Sequence, residues 1–534
     1  MQSWIHVIEW RATVHPDVTA LVDDRGATLT YAELRSALES RAGGWSQLGI
    51  TPGDVVAVLA KNSADFLVHT FAILRAGATP AFLNWRLSER ELAEVLALAE
   101  PVAIAADAEF TALVEQAAPE LSSRVIIGGG SGWAGWLDGA SLEGPVPPRP
   151  TLSANDVLAL VHTSGTTGRA KAIPLRHGAL LVSVAGFAIE IGDQVVGSHH
   201  LQILPLFHLG GFGQCLQALL TAGTVYVHSG FSPAAVVDAI ERDRIEFFTA
   251  GPSLIDLLVA EIRRRPGTDL SSLKEIAYGT APITPSSLTA AIETFCCRFR
   301  QIYGNTESQS MISLLAPEDH QPGHPRLASA GRVSFGWQVK IVEPTDPAAI
   351  AVLARVVGGG CSGRDPPEPP ALPPDQPGEV LIKGEFLFSG YWKDPEATAA
   401  AFTPDGWYRT GDIGKLTADG YLYILDRAKD MVISGGENIY PVEVEAVLAR
   451  HPSVAEVAVI GRPDPVWGEA VHAVIRTVDG ASLSDDELIA WCKERLSSFK
   501  CPKTVEFTGP LPRTTTGKVL KRELRSRHDG GNRA

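Results

Sequence analysis

Two hydrophobic periods alternate along this chain. Asp54–Leu59 is apolar and largely β-branched after its first residue, which predicts a buried strand, and Ser63–Ala76 reads as the helix that follows it. Short β-branched runs separated by helix-length segments predict parallel βαβ units and an α/β fold. Ser88 is followed three positions later by Glu91, ahead of Leu92, Val95, Leu96 and Ala99 at helical spacing, which predicts a capping box opening an amphipathic helix. Further strands are expected at Val157–Val161, Val339–Val342 and Tyr421–Leu425. Ala179–Ile191 is the most apolar run, but Glu190 interrupts it and it falls short of the ~20 residues that cross a bilayer. A buried helix is expected there, and no transmembrane segment.

Between Pro344 and Pro377 the pattern breaks down. Nine of those 34 residues are proline and 358–360 is a glycine triplet, so regular hydrogen-bonded structure is excluded through most of the stretch. It reads as an exposed insertion. The last ten residues, from Arg525, are polar and expected to fray.

At 534 residues the chain exceeds one compact core, so two or more domains are expected. Acidic residues outnumber basic ones 61 to 46, and the resulting net charge of −15 repels phosphate backbones and anionic lipid. Nucleic-acid binding therefore has no support, and a nucleotide would need a local site. Cys215, Cys296, Cys297, Cys361, Cys492 and Cys501 show no metal-ligand spacing and are too few for a disulfide framework, which fits a reducing, cytoplasmic setting. Glu9, Arg11 and Asp17 near the N-terminus leave no signal-peptide core.

Candidate chemistry is concentrated in a few short segments. Thr163-Ser-Gly-Thr-Thr-Gly-Arg-Ala-Lys171 follows the strand expected at Val157–Val161. Its glycines let the backbone approach a ligand, and its N–H groups, hydroxyls and terminal ammonium can face a polyphosphate. The P-loop NTPase pattern is absent, because Lys171 is followed by Ala172. Tyr303-Gly-Asn-Thr-Glu307 supplies a flat ring, a hydroxyl and a carboxylate. Asp412, closing Trp407-Tyr-Arg-Thr-Gly-Asp412, offers two acceptor oxygens to a vicinal diol, or else caps a turn before the next strand. Pro441, after Gly435-Gly-Glu-Asn-Ile-Tyr, also reads as a helix start. Lys518 closes Pro512-Arg-Thr-Thr-Thr-Gly-Lys, where a cation could offset repulsion between a carboxylate and a phosphate. His208, within Pro205-Leu-Phe-His-Leu-Gly-Gly211, suits either an acid-binding site or a hydrogen-bonded core position.

Taken in order, these segments resemble the signatures of the adenylate-forming superfamily, which includes acyl-CoA synthetases, peptide-synthetase adenylation domains and firefly luciferase. The resemblance runs from near the N-terminus to about residue 524, and departs from the family at Ala170, where proline is usual, and at the proline-rich insertion. It implies ATP, Mg2+ and coenzyme A. Thr163, Ser164, Gly165, Thr166, Thr167, Gly168 and Lys171 would hold phosphates, with Thr167 and Glu307 at the metal. Gly279, Thr280, Ala281 and Pro282 would wall the adenine, Tyr303 and Gly304 would flank it, and Thr306 would reach the α-phosphate. Asp412 and Arg427 would take the ribose, Gly435 and Gly436 would approach the pantetheine arm, and Lys518 would be the adenylation lysine. His208, Phe212, Gly213, Gly251, Pro252, Tyr278 and Gly279 are the candidates for the acid pocket.

The implied architecture is a large multi-subdomain α/β domain over residues 1–425 and a small mobile α+β lid over 426–534, hinged at Asp426. The implied activity is MgATP-dependent conversion of a carboxylic acid to acyl-AMP, then to acyl-CoA, the acid being fatty or otherwise hydrophobic. A ligase loading a carrier-protein phosphopantetheine, a luciferase-like oxygenase and a non-catalytic binding protein are the competing readings. An insertion after Val339–Val342, not before it, favours coenzyme A over the carrier protein.

Overall fold

The computed structural model describes residues 2–128, 145–164, 170–192, 195–281, 283–344, 369–427, 430–434, 437–464, 467–514 and 518–529. Val55–Leu59 is the expected strand, buried at all five positions and paired in parallel with Thr79–Phe82 and Ala103–Asp107. The helix Ala64–Arg75 follows it, its first turn closed by Ser63 Oγ accepting from the Phe66 N–H. Ser88 and Glu91 form both bonds of the capping box at the start of the helix Glu89–Ala99.

A second, thirteen-stranded sheet carries most of the candidate site residues. In its parallel part His199–Gln202, Phe247–Ala250, Glu275–Tyr278 and Arg298–Tyr303 are consecutive neighbours. Antiparallel strands then continue it through Ser313–Leu315, Gly331–Val333, Tyr421–Arg427, Tyr408–Leu416 and Gly378–Gly384 to Trp337–Val342. The proline-rich stretch leaves from Trp337–Val342 and returns into that strand's own antiparallel partner, Gly378–Gly384. Most of the stretch, 345–368, lies outside the described residues.

After Arg427 the chain passes to a separate five-stranded sheet that begins at Val432–Ser434 and closes over its own core of Val432, Ile439, Val459, Val471 and Ile475. The protein is thus a mixed α/β chain with a large N-terminal and a smaller C-terminal domain. The expected helix at Ala179–Ile191 spans His177–Ile191, but it is not buried all round. Leu180, Val184 and Phe187 pack inward, while Val182 is 49% and Ile189 79% exposed. Apolar composition overstated its burial because only one helix face finds a partner. No described helix is long and apolar enough to cross a membrane.

Burial also shapes the response to acid. His69 and His200 are held down to about 3, and His162, His177, His208 and His320 to about 4, in each case chiefly because burial disfavours the imidazolium. Below pH ~6.5 the unfolded chain binds protons that these native imidazoles refuse, so stability falls as pH drops from ~6.5 towards 4. Asp65 and Asp426, raised to about 7 and about 6 chiefly by burial, act in the opposite sense but are fewer. The apparent Tm is expected to fall steeply between pH 6.5 and 4.5; a flat profile there would contradict the neutral-histidine assignment.

Candidate active site

Three neighbouring parallel strands end at glycines on one edge of the sheet: Ala250 leads to Gly251, Tyr278 to Gly279 and Tyr303 to Gly304. Carboxyl ends of parallel strands are where open α/β sheets bind ligands. Side chains cannot be added to this edge. A Cβ on Gly279 would lie 2.6 Å from the Ile302 carbonyl oxygen, and one on Gly304 2.6 Å from that of Ser310. Thr280 takes a left-handed φ of 70° to turn the chain out of the edge. Ala281 follows it, and Pro282 lies outside the described residues.

Asp412 sits within the strand Tyr408–Leu416, not at a turn, and pairs across the ladder with Arg427. Its carboxylate accepts from the Tyr303 hydroxyl at 2.6 Å and from Arg427 Nε at 2.7 Å. Tyr303 and Asp412 stand four strands apart in the sheet order, a separation of about 19 Å if the sheet were flat. Direct contact between them therefore requires the sheet to curl, and the curl makes a cleft from segments distant in sequence. The Asp412 charge raises the Arg427 pKa, and burial drives the Tyr303 phenol far above its usual range.

Glu307 and Lys171 join this cluster through a residue that the sequence reading passed over. Tyr391 donates its hydroxyl to Glu307 Oε1 at 3.1 Å, and Lys171 Nζ lies over the Tyr391 ring at 4.0 Å from its centre. Tyr408 hydrogen-bonds to Tyr391 and feels the Glu307 charge. Backbone bonds pin the arrangement, with Phe388 N–H donating to the Glu307 carbonyl and Trp392 N–H to that of Ala172. Thr306 turns the chain by accepting from the Gln309 N–H. Thr163 and Ser164 end the strand Val157–Ser164, in register with Lys171 and Ala170 on the returning strand. Gly165, Thr166, Thr167 and Gly168, between them, lie outside the described residues, as do Gly435 and Gly436.

Two acid-pocket candidates have side chains buried in the core. Tyr278 is fully buried, donor or acceptor to His320 Nε2 at 3.0 Å and edge-on to Phe299, so its side chain belongs to the core. Phe212 is likewise fully buried, packed on Phe71 and Phe82. His208 precedes the helix Leu209–Leu220, its imidazole held neutral by burial near Arg86. Gly213 lies in that helix, and Gly251 precedes the helix Pro252–Arg264.

Asp426 accepts from the Arg427 N–H at 2.7 Å and the Val442 N–H at 3.2 Å, and burial raises its carboxyl to about 6 against the pull of Lys521. It thereby ties the last strand of the large sheet to the first helix of the C-terminal domain, Pro441–Leu448. Lys518 lies in a hairpin closed by its N–H donating to Thr514 Oγ1 and by the Arg513–Val519 bridge. Asp256, in the helix Pro252–Arg264, is raised chiefly by burial, with the Arg513 charge opposing.

The set of groups fits a magnesium nucleotide. It combines three aromatic rings (Tyr303, Tyr391 and Tyr408), the Asp412 and Glu307 carboxylates, the Lys171 ammonium, the Arg427 guanidinium and a glycine edge open to close backbone approach. No described group of three or more His, Cys, Asp and Glu residues could cage a metal ion. Glu307 with nucleotide phosphates, as is usual for Mg2+, would hold it instead.

Comparison with known proteins agrees with this reading. The AMP-binding enzyme family matches residues 8–392, and the AMP-binding enzyme C-terminal domain matches 443–518. A feruloyl-CoA synthase from Amycolatopsis is 38% identical over 97% of both chains, and an indoleacetate–CoA ligase from Aromatoleum aromaticum is 34% identical over 93% of this chain and 92% of its own. ATP-bound MatB from Rhodopseudomonas palustris superposes with a TM-score of 0.86 at 27% identity over 99% of both chains. With both parts of the family matched in order and the two halves of the cleft brought into contact, the chain belongs to the AMP-binding enzyme family and is an adenylate-forming, ATP-dependent acid–thiol ligase.

Proposed function

We propose that this chain is a coenzyme A ligase for an aromatic carboxylic acid, using the cleft at Tyr303, Glu307, Lys171, Asp412 and Arg427 for MgATP. The observation that carries the proposal is the pair of contact networks that join Lys171, Glu307 and Tyr408 through Tyr391, and Tyr303 to Arg427 through Asp412. In this reading Lys171 and the preceding loop bear the phosphates, Glu307 binds the metal, and Asp412 takes the ribose diol. Magnesium supplies charge neutralisation at the phosphates. Lys518 approaches from the C-terminal domain and offsets the repulsion between the incoming carboxylate and the α-phosphate. Rotation about Asp426 then withdraws Lys518 and brings Gly435 and Gly436 to the thiol, which displaces AMP.

Coenzyme A and an aromatic acid are favoured over the other candidates because curated relatives named for feruloyl-CoA, indoleacetate and 2-succinylbenzoate match over nearly the whole length. A carrier protein is the second reading, since a fatty acid–acyl-carrier-protein ligase from Streptomyces coeruleorubidus is 32% identical over 99% of this chain. Incubation with ATP, Mg2+ and a panel of aromatic and long-chain acids, with either free coenzyme A or a carrier protein, tests both points. Aromatic acyl-CoA and AMP are the expected products; preferential use of long-chain acids, or of the carrier protein, would overturn the proposal.

Tyr391 gives a finer test. Tyr391→Phe keeps the ring beneath Lys171 but removes the donor to Glu307. A hydrogen bond to a charged group is worth ~1.5 kcal/mol or more, so KM for MgATP should rise about tenfold with kcat less affected. Tyr391→Leu, which also removes the ring, should cost more. Unchanged KM in both variants would separate Tyr391 from nucleotide binding.

A further inference from the structure

Gln309 follows Glu307 by two residues and is placed at a cost to the fold. It is fully buried, and its φ of 52° is left-handed, a conformation that residues other than glycine and asparagine seldom adopt. Its amide oxygen accepts from the Arg176 N–H at 2.6 Å, which fixes the amide orientation and leaves Nε2 a buried donor without a partner. Outliers of this kind concentrate at functional sites, where the geometry they enforce is what is retained.

The contact closes a circuit around Glu307. Arg176 ends the strand Ala170–Arg176, which also carries Lys171. Its guanidinium donates to the carbonyls of Glu385 at 3.2 Å and Leu387 at 2.7 Å. The next residue, Phe388, donates its N–H to the Glu307 carbonyl at 2.9 Å, and Tyr391 holds the Glu307 carboxylate. Gln309 returns the circuit to Arg176, and its own N–H bonds back to the Thr306 carbonyl across Glu307. Three segments distant in sequence thus meet around Glu307, at its backbone and at its carboxylate.

We infer that Gln309 and Arg176 are positioning residues for the metal, fixing the turn from which Glu307 presents its carboxylate to nucleotide-bound Mg2+ without themselves touching the nucleotide. The inference rests on the reading of Glu307 as the metal ligand. Groups that orient a metal ligand are worth about 10–100-fold in metal affinity or activity.

Calorimetric binding and thermal unfolding separate this role from a purely structural one. The probes are AMP, which needs no metal, and the α,β-methylene analogue of ATP with Mg2+, which cannot release pyrophosphate. Gln309→Gly removes the clamp and relieves both the left-handed backbone and the orphaned donor, so its Tm without ligand should match or exceed that of the wild type. Its Kd for the magnesium-loaded analogue should rise about tenfold or more, with Kd for AMP unchanged. Gln309→Asn, at ease in the left-handed region but one methylene short of the Arg176 N–H, should behave the same way. An unchanged Kd for the analogue, or equal weakening of AMP and analogue, would overturn the inference. Should neither variant fold, Arg176→Met, which releases the Glu385 and Leu387 carbonyls but keeps the N–H, decides by the same two constants. Selective loss of the analogue would support the inference, and unchanged values would overturn it. A wild-type affinity for the analogue that is indifferent to Mg2+ would instead fail the metal reading of Glu307.

Discussion

Replacing Lys518 by alanine is expected to lower pyrophosphate release from acid and ATP by about 10²–10³-fold, the usual cost of removing one group that stabilises charge developing in a transition state. Thioester formation from supplied acyl-adenylate should remain largely intact. A lysine near a chain end is ordinarily solvated surface. Here its N–H donates to Thr514 Oγ1 next to the Arg513–Val519 bridge of the C-terminal domain. The two half-reactions ask different things of the C-terminal domain, so only the first should need this cation. Lys518 is partly exposed, and truncating it should cost little stability. Equal losses in both half-reactions would contradict the assigned role.

Asp412→Ala should impair both stability and nucleotide binding. Asp412 is 4% exposed and accepts from both the Tyr303 hydroxyl and Arg427. Its removal leaves a buried phenol without an acceptor and a guanidinium without its counter-charge. Fully buried pairs lose about 3–5 kcal/mol on such a change. Arg427's side chain is 34% exposed, which lowers the expectation to about 2–4 kcal/mol. The ribose diol would also lose its two acceptor oxygens, raising KM for ATP at least about tenfold. Asp412→Asn, which keeps one acceptor, should recover part of the stability and less of the affinity. A wild-type Tm together with a wild-type KM in Asp412→Ala would remove the carboxylate from both roles.

Much of the site was legible in the sequence because its parts carry local chemistry in short segments. Tyr303, Glu307, Asp412 and Arg427 could each be named from their neighbours, and the structure brings them together. What tied them together was not legible. Tyr391 and Tyr408 act through contacts created when the large sheet curls, and no local pattern records that curl. The acid pocket was harder still. Successive residues of a strand face opposite sides, so one position decides which side of the sheet a side chain joins. Ile276 and Tyr278 face one core cluster, whereas Ala277 packs with Phe187 and Phe247 on the other side of the sheet. Tyr278 could be named from its place beside Gly279, and the alternation turns its side chain into that core.

The central claim is that segments far apart in the chain form one cleft in which an acid attacks the α-phosphate of MgATP. Exchange of labelled pyrophosphate into ATP, measured without coenzyme A and with a ring-bearing acid present or absent, tests it most directly. Exchange that requires the acid and Mg2+, with AMP accumulating only after the thiol is added, is the predicted result. Acid-dependent formation of ADP and phosphate without pyrophosphate exchange would contradict it.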